Sequence, residues 1–293
     1  IIEFMRIYNP KKISWIKKNV KFPNTMVDGI VPKLSKENKG YIEEKTSLLD
    51  KAPILHEPYV EWYIENNNFL KSEFFYKSNI KIVDNVGLYE NIKLRFLNAS
   101  HSAVSYIGLL LGYKFVHEVL EDYDCYKFIY NFMNLEVLPI VKVPKDFNQS
   151  KYINLVLERF KNPHLKDELK RISIDGSYKI KIRLLDTIKD RLSDKNCSYS
   201  SFIITCWFKF LFGKDINNNL IEINDPNKKT LLGIINNKNN IDQIIENFLN
   251  YKFVFDIDRK DKSFLKNNIK TYFNNINNYG LKNSIKNINN SKL

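Results

Sequence analysis

Nine glycines are spread through 293 residues, and none falls in a G-x-G-x-x-G or G-x-x-x-x-G-K-[ST] pattern. The backbone loop that cradles nucleotide phosphates is therefore not legible anywhere in the chain. The one near-match, Gly108-x-x-x-Gly112, suits a close contact between helices. Cysteine is almost as scarce. Cys125, Cys197 and Cys206 form no C-x-x-C pair and are odd in number, which argues against a disulfide framework. The four histidines stand far apart at 56, 101, 117 and 164, with neither H-E-x-x-H nor zinc-finger spacing, so no metal site is expected. No run approaches the roughly 20 apolar residues of a membrane span, and the first residues lack the charged-then-apolar order of a secretory signal. A cytoplasmic location without a membrane partner is the expectation.

What is abundant is lysine, asparagine and isoleucine. The formal charge is +13, from 46 Lys and Arg against 33 Asp and Glu. Clustered cations would suit phosphates, but the excess is distributed, and no RRM, zinc-finger or helix-turn-helix signature accompanies it. It reads as compositional drift, and no nucleic-acid partner is expected. With 44% hydrophobic and 14% aromatic residues, the chain has material for a sizeable core.

Periodicity predicts a mostly α protein. Ile13, Trp15, Ile16 and Val20 recur at helical spacing within 1–22. FPNTMVDGIVP at 22–32 reads as an irregular loop, and EPYVEWYIENN at 57–67 as a short helix. IKIVDNV at 80–86 is the strand candidate. Helical patterns follow across 88–113, 115–134, 150–161, 163–174, 179–193, 199–212, 240–250 and 262–278, with a polar loop at 213–229. The Asn-dense last 80 residues keep a helical rhythm, and only about the final ten are expected to fray.

Chemistry concentrates in NIKLRFLNASHS at 91–102. At 100° per residue, Asn98 lies about 140° and His101 about 80° from Lys93, so the three share less than half the circumference. Apolar neighbours surround them. A buried lysine loses affinity for its proton, as a general base near neutral pH requires. Asn98 and His101 would then hydrogen-bond a substrate oxygen. On spacing alone the bland alternative stays open: Lys93 snorkels to water and His101 satisfies a carbonyl.

YENIKLRFLNASHSAVSYIGLLLGYKFVHEVLED at 89–122 resembles the catalytic segment of the polyol-specific long-chain dehydrogenases, which include mannitol 2-dehydrogenase and fructuronate reductase. FPNTMVDGIVP (22–32), EPYVEWYIEN (57–66), ERFKNPHLKDELKRISIDGSYKI (158–180) and NNLIEINDP (218–226) resemble further blocks in the family's order. The resemblance implies a multi-helical domain of the 6-phosphogluconate dehydrogenase C-terminal-like fold over 23–293, with 1–22 the tail of the connection to a cofactor domain. It implies Lys93 as general acid/base, with Asn98 and His101 polarising the alcohol or carbonyl oxygen. Asp28, Arg171 and Lys179 are implied as substrate-binding residues, the alternatives being that Asp28 caps a turn and that Arg171 sits on a helix surface.

The implied reaction interconverts a polyol and a ketose, D-mannitol and D-fructose in type, with NAD or NADP. Alternatives are a fructuronate reductase acting on a sugar acid, and a non-catalytic remnant. The resemblance implies that the glycine fingerprint lies upstream of Ile1 and that the Rossmann cofactor domain, in cis or in trans, is absent from this chain. The isolated chain would then hold the substrate half of the site and be inactive alone.

Overall fold

The computed structural model describes residues 1–32, 34, 36–66, 80–236 and 240–291. The chain forms two compact units, one of residues 1–31 and 56–90, the other of 32–55 and 91–293.

In the first unit, the expected N-terminal helix is broken into Ile2–Tyr8, Pro10–Lys12 and Ile13–Asn19. Pro10 opens the middle segment, where its missing N–H would have had no helical partner. Three strands follow: β1 Thr25–Asp28, β2 Glu61–Glu65 and β3 Ile80–Val83. β2 is central, antiparallel to β1 and parallel to β3. Two expectations are corrected here. Part of FPNTMVDGIVP is strand rather than loop, and EWYIE is strand rather than helix; residue 67 of that stretch lies outside the described residues. Tyr59, Trp62 and Tyr63 have helical spacing, but a helix this short barely nucleates alone, and aromatic and β-branched residues gain more between two strands.

Polar contacts brace this sheet. Trp62 Nε1 donates to Thr25 Oγ1 at 2.7 Å, and the Tyr63 hydroxyl donates to Glu61 Oε2 at 2.5 Å. The Lys81 ammonium pairs with Glu61 from β3. Beneath them Met26, Tyr63 and Val86 form a small apolar cluster, with Tyr63 stacked on Tyr89 at 4.0 Å.

The second unit is helical. Ala99–Leu110 is buried at every position but Leu109, and Ser198–Phe210 at every position but Ser198 and Lys209. Helices apolar all round belong at the centre of a core, and these two pack on each other. Around Ser198–Phe210 lies an aromatic cluster in which Phe208 meets Phe248 at 4.9 Å and Phe273 at 5.5 Å. Phe248 and Phe273 come from Ile241–Leu249 and Arg259–Tyr279.

Ala99–Leu110 ends in a Schellman motif: Tyr113 N–H donates to Gly108 C=O and Gly112 N–H to Leu109 C=O, with Gly112 at φ +82°. Gly108 earns its place differently. A Cβ there would lie 2.5 Å from both Leu169 Cδ1 and Val119 Cγ2, so the backbone itself packs against the helices Leu169–Ser173 and Val116–Glu121. Gly108→Ala is expected to lower stability by about 1–2 kcal/mol, overpacking outweighing the better helix propensity. The midpoint of urea unfolding reads this, and an unchanged or raised midpoint would refute the close-contact role.

Among the described residues, helical winding widens twice into π turns, at Lys93–Asn98 and Phe132–Val137. The second presents Glu136, fully buried, to the start of Ser198–Phe210. Its Oε1 accepts from Tyr199 N–H at 2.5 Å, and its Oε2 from Ser200 N–H at 2.9 Å and Ser200 Oγ at 2.5 Å. A carboxylate from a distant segment thus satisfies donors that a helix start leaves open.

The C-terminus departs from the expected fraying. Leu281–Asn290 is a helix with Leu281, Ile285 and Ile288 buried, and Asn289 Nδ2 donates to Asp124 C=O at 2.8 Å. Its i, i+4, i+7 apolar spacing had been masked by asparagines. Residues 292–293 lie outside the described residues.

Candidate active site

Lys93 and Asn98 are the first and last residues of the π turn. In an ordinary helix, residues five apart diverge by about 140°. An i→i+5 turn instead stacks them one above the other, so the winding aligns the two more closely than helical arithmetic predicts. Ala99 N–H bonding to Leu94 C=O marks the same widened register. His101 follows one turn on, in the buried Ala99–Leu110 helix.

A charged cluster surrounds His101. Its Nε2 lies 3.2 Å from Asp167 Oδ2, a close approach without a hydrogen bond. Its ring stacks on Phe160 at 4.9 Å and 25°. Arg171 donates through Nε at 3.0 Å and Nη2 at 2.5 Å to Asp167 Oδ1. Lys179 Nζ donates to Ile172 C=O at 3.0 Å. Arg183 donates to Asn98 C=O at 3.3 Å and Ser102 Oγ at 3.1 Å, tying the end of the π turn to helix Gly176–Arg183. That helix is anchored by Asp225, which accepts from Ser177 N–H and Ser177 Oγ, each at 2.7 Å.

Burial sets the protonation states. It lowers the His101 pKa, only partly opposed by Asp167, so the ring is neutral near pH 7. It also lowers Lys179, which with Arg183 nearby falls to about 8. Burial alone would raise Asp167, but His101 and Arg171 outweigh it and hold the carboxyl below its usual range. The result is an ionised carboxylate among three cations and a neutral imidazole.

Of the six residues singled out in the sequence, Lys93, Asn98, His101, Arg171 and Lys179 lie in the helical unit. The π turn joins Lys93 to Asn98, and Asp167 joins His101 to Arg171. Asp28 belongs to the strand unit, 1% exposed at the end of β1 and paired in register with Glu61. Asp167, Arg183 and Asp225 were not singled out. Spacing of i, i+4 signals two of them: Asp167 precedes Arg171, and Arg183 follows Lys179, by four residues.

Residues 85–277 match the Mannitol dehydrogenase C-terminal domain. The chain belongs to the mannitol dehydrogenase family. Residues 3–77 match the Mannitol dehydrogenase Rossmann domain, which corrects the expectation that this domain is absent. A piece of it was missed because its glycine fingerprint is not in the chain, while its strands are short and read as loop and helix. Among relatives, the mannitol dehydrogenase 2 of Saccharomyces cerevisiae is 34% identical over 236 residues, covering 79% of this chain and 47% of that protein. The mannitol 2-dehydrogenase of Phaeosphaeria nodorum is 36% identical over 230 residues, 77% of this chain and 40% of that protein.

Among solved structures, Pseudomonas fluorescens mannitol 2-dehydrogenase, in a ternary complex with NAD and D-mannitol, superposes with a TM-score of 0.86 at 26% identity. The match covers 98% of this chain and 58% of that one. A substrate-free D-sorbitol dehydrogenase gives 0.85 at 26% identity, over 97% and 58%. The chain spans about half the length of the relatives it matches.

Among the described residues no three His, Cys, Asp or Glu side chains group to hold a metal, and no helix is long and apolar enough to cross a membrane. The described residues also do not fit a dinucleotide's diphosphate. The glycines with positive φ, Gly112, Gly213 and Gly280, follow helix ends, and none opens a phosphate loop. The donors present suit an alcohol or carbonyl oxygen.

Proposed function

We propose that this chain carries the proton-transfer and hydroxyl-binding groups of an NAD-dependent polyol dehydrogenase that interconverts D-mannitol and D-fructose. The supporting observation is the π turn that stacks Lys93 and Asn98 beside His101 and a half-buried cationic cluster. NAD, favoured over NADP by the Rossmann-domain match and by the neighbour's NAD complex, accepts the hydride when bound. No residue here is assigned to hold it.

Lys93 Nζ takes the proton of the reacting hydroxyl in oxidation and returns it in reduction. The Asn98 amide donates to that oxygen as it gains charge, and neutral His101 accepts from a neighbouring hydroxyl of the polyol. Arg171 and Lys179 bind the remaining hydroxyls. A polyol presents many donors and acceptors, and a wrong isomer leaves buried groups unpaired at about 1–3 kcal/mol each.

Steady-state NADH formation tests this with D-mannitol and D-mannonate, each with NAD and NADP. D-mannitol with NAD is expected to lead in kcat/KM by about tenfold or more, one such mispairing. Preference for D-mannonate would move the protein to the sugar-acid branch. No turnover of either would favour a non-catalytic role.

A further inference from the structure

We propose that Asp167 is a positioning residue of this site, which holds the His101 ring as the Nε2–H tautomer and the Arg171 guanidinium in a fixed fork. This rests on the polyol dehydrogenase reading above, and it adds a residue to it.

Geometry makes the case. Asp167 is 4% exposed, and its two oxygens are divided: Oδ1 takes both Arg171 donors, and Oδ2 faces His101 Nε2 at 3.2 Å. An ionised oxygen at that distance favours the proton on Nε2 and leaves Nδ1 as the only acceptor on the ring. Phe160 fixes the plane of the ring from its face, while Asp167 fixes its edge. Arg171 and Arg183 are the cations that act on His101 beside Asp167, and Lys179 stands near both arginines with Asp175 as a further counter-charge. Without the Asp167 carboxylate the two arginines would crowd the ring with less counter-charge.

The backbone is shaped for this placement. Lys166, immediately before Asp167, holds φ +45°, a left-handed conformation that costs a non-glycine residue about 1 kcal/mol or more. Around it the chain is clamped: Val116 N–H donates to Asp167 C=O, and Leu169 N–H to Lys114 C=O, both at 3.0 Å. Ser105 Oγ, on the His101 helix, donates to Leu169 C=O at 2.9 Å. The strained turn thus delivers one carboxylate to two residues of the site.

The tautomer is read directly by 15N NMR of the protein labelled at its four histidines, with the His101 signal assigned by its loss in His101→Asn. A protonated Nε2 and an unprotonated Nδ1 are expected at neutral pH. In Asp167→Asn the charge is gone while the size is kept. The His101 signals are then expected to shift toward a mixture of tautomers, and kcat for D-mannitol to fall about 10–100-fold, as for other groups that orient a functional histidine. The pH profile of kcat/KM should change shape, which a purely structural loss would not produce.

A wild-type ring protonated on Nδ1, or an Asp167→Asn protein with the same tautomer and rate profile, overturns the proposal. The wild-type spectrum decides even if the variant folds poorly. If His101 shows the expected tautomer but the wild-type protein turns over neither D-mannitol nor D-mannonate, the polyol dehydrogenase reading fails instead.

Discussion

Lys93→Ala is expected to lower kcat for D-mannitol oxidation by about 10²–10⁴-fold, the range for loss of a general base. That corresponds to about 3–5 kcal/mol of barrier. Substrate affinity should change far less, because Arg171, Lys179 and Asn98 remain. The loss should fall on kcat rather than on KM, as for an interaction strengthened in the transition state. The rise of kcat/KM with pH that deprotonates the base should flatten, and small primary amines should restore part of the rate. If Lys93 only reaches to solvent, alanine would leave kcat within about twofold, as surface substitutions do. Measuring kcat, KM and their pH profiles for both proteins separates the two outcomes.

The largest effect on stability is expected at Glu136. Removing its side chain in Glu136→Ala strands three buried donors, Tyr199 N–H, Ser200 N–H and Ser200 Oγ. At about 1–3 kcal/mol for each unpaired group, partly met by water, the cost should be about 3–5 kcal/mol. Burial pushes the Glu136 carboxyl up to about 7, against the donors from Ser200 and Tyr199, while an unfolded chain titrates near 4.5. The sign follows from proton counts. Between these values the folded state holds the proton more tightly, so this group's contribution weakens as pH rises from about 4.5 to 7. Glu136→Gln removes that slope. Urea midpoints of the wild type and Glu136→Gln across this range should therefore diverge, the wild type losing ground by about 3 kcal/mol. Parallel profiles would show that the carboxyl ionises alike in both states.

How far the sequence carried these conclusions depended on pattern length. Ala99–Leu110 and Ser198–Phe210 were legible because twelve or more residues leave an unmistakable apolar run. β2 was not, since in five residues aromatic spacing serves strand and helix equally. Lys93, Asn98 and His101 stood out as polar residues in an apolar segment, but the π turn joining them did not, because no hydrophobic period encodes one extra residue in a turn. Asp167 and Arg183 were hidden for a different reason. In a chain so rich in charge, another acid or base looks like a solvated surface until its burial is known. Glu136, a lone acid in NLEVL, offered a clue in hindsight: a carboxylate amid apolar residues requires donors, and sequence does not say which distant helix brings them.

The two π turns share a consequence. Each helix carries one residue more per revolution than its neighbours, and such an excess behaves as a permanent angular offset between the chain before it and the chain after. At Lys93–Asn98 that offset converts an oblique pair into an aligned one; at Phe132–Val137 it accompanies the carboxylate that meets the helix start. Chemical identity at these positions is therefore only half of what inheritance must preserve. If the coil tightened to ordinary α winding with its residues unchanged, Lys93 and Asn98 would stand about 140° apart, whereas loss of one residue between them, even an apolar bystander such as Leu94, would leave them about 40° apart at i, i+4. The winding of that stretch is as much a part of the site as the lysine itself.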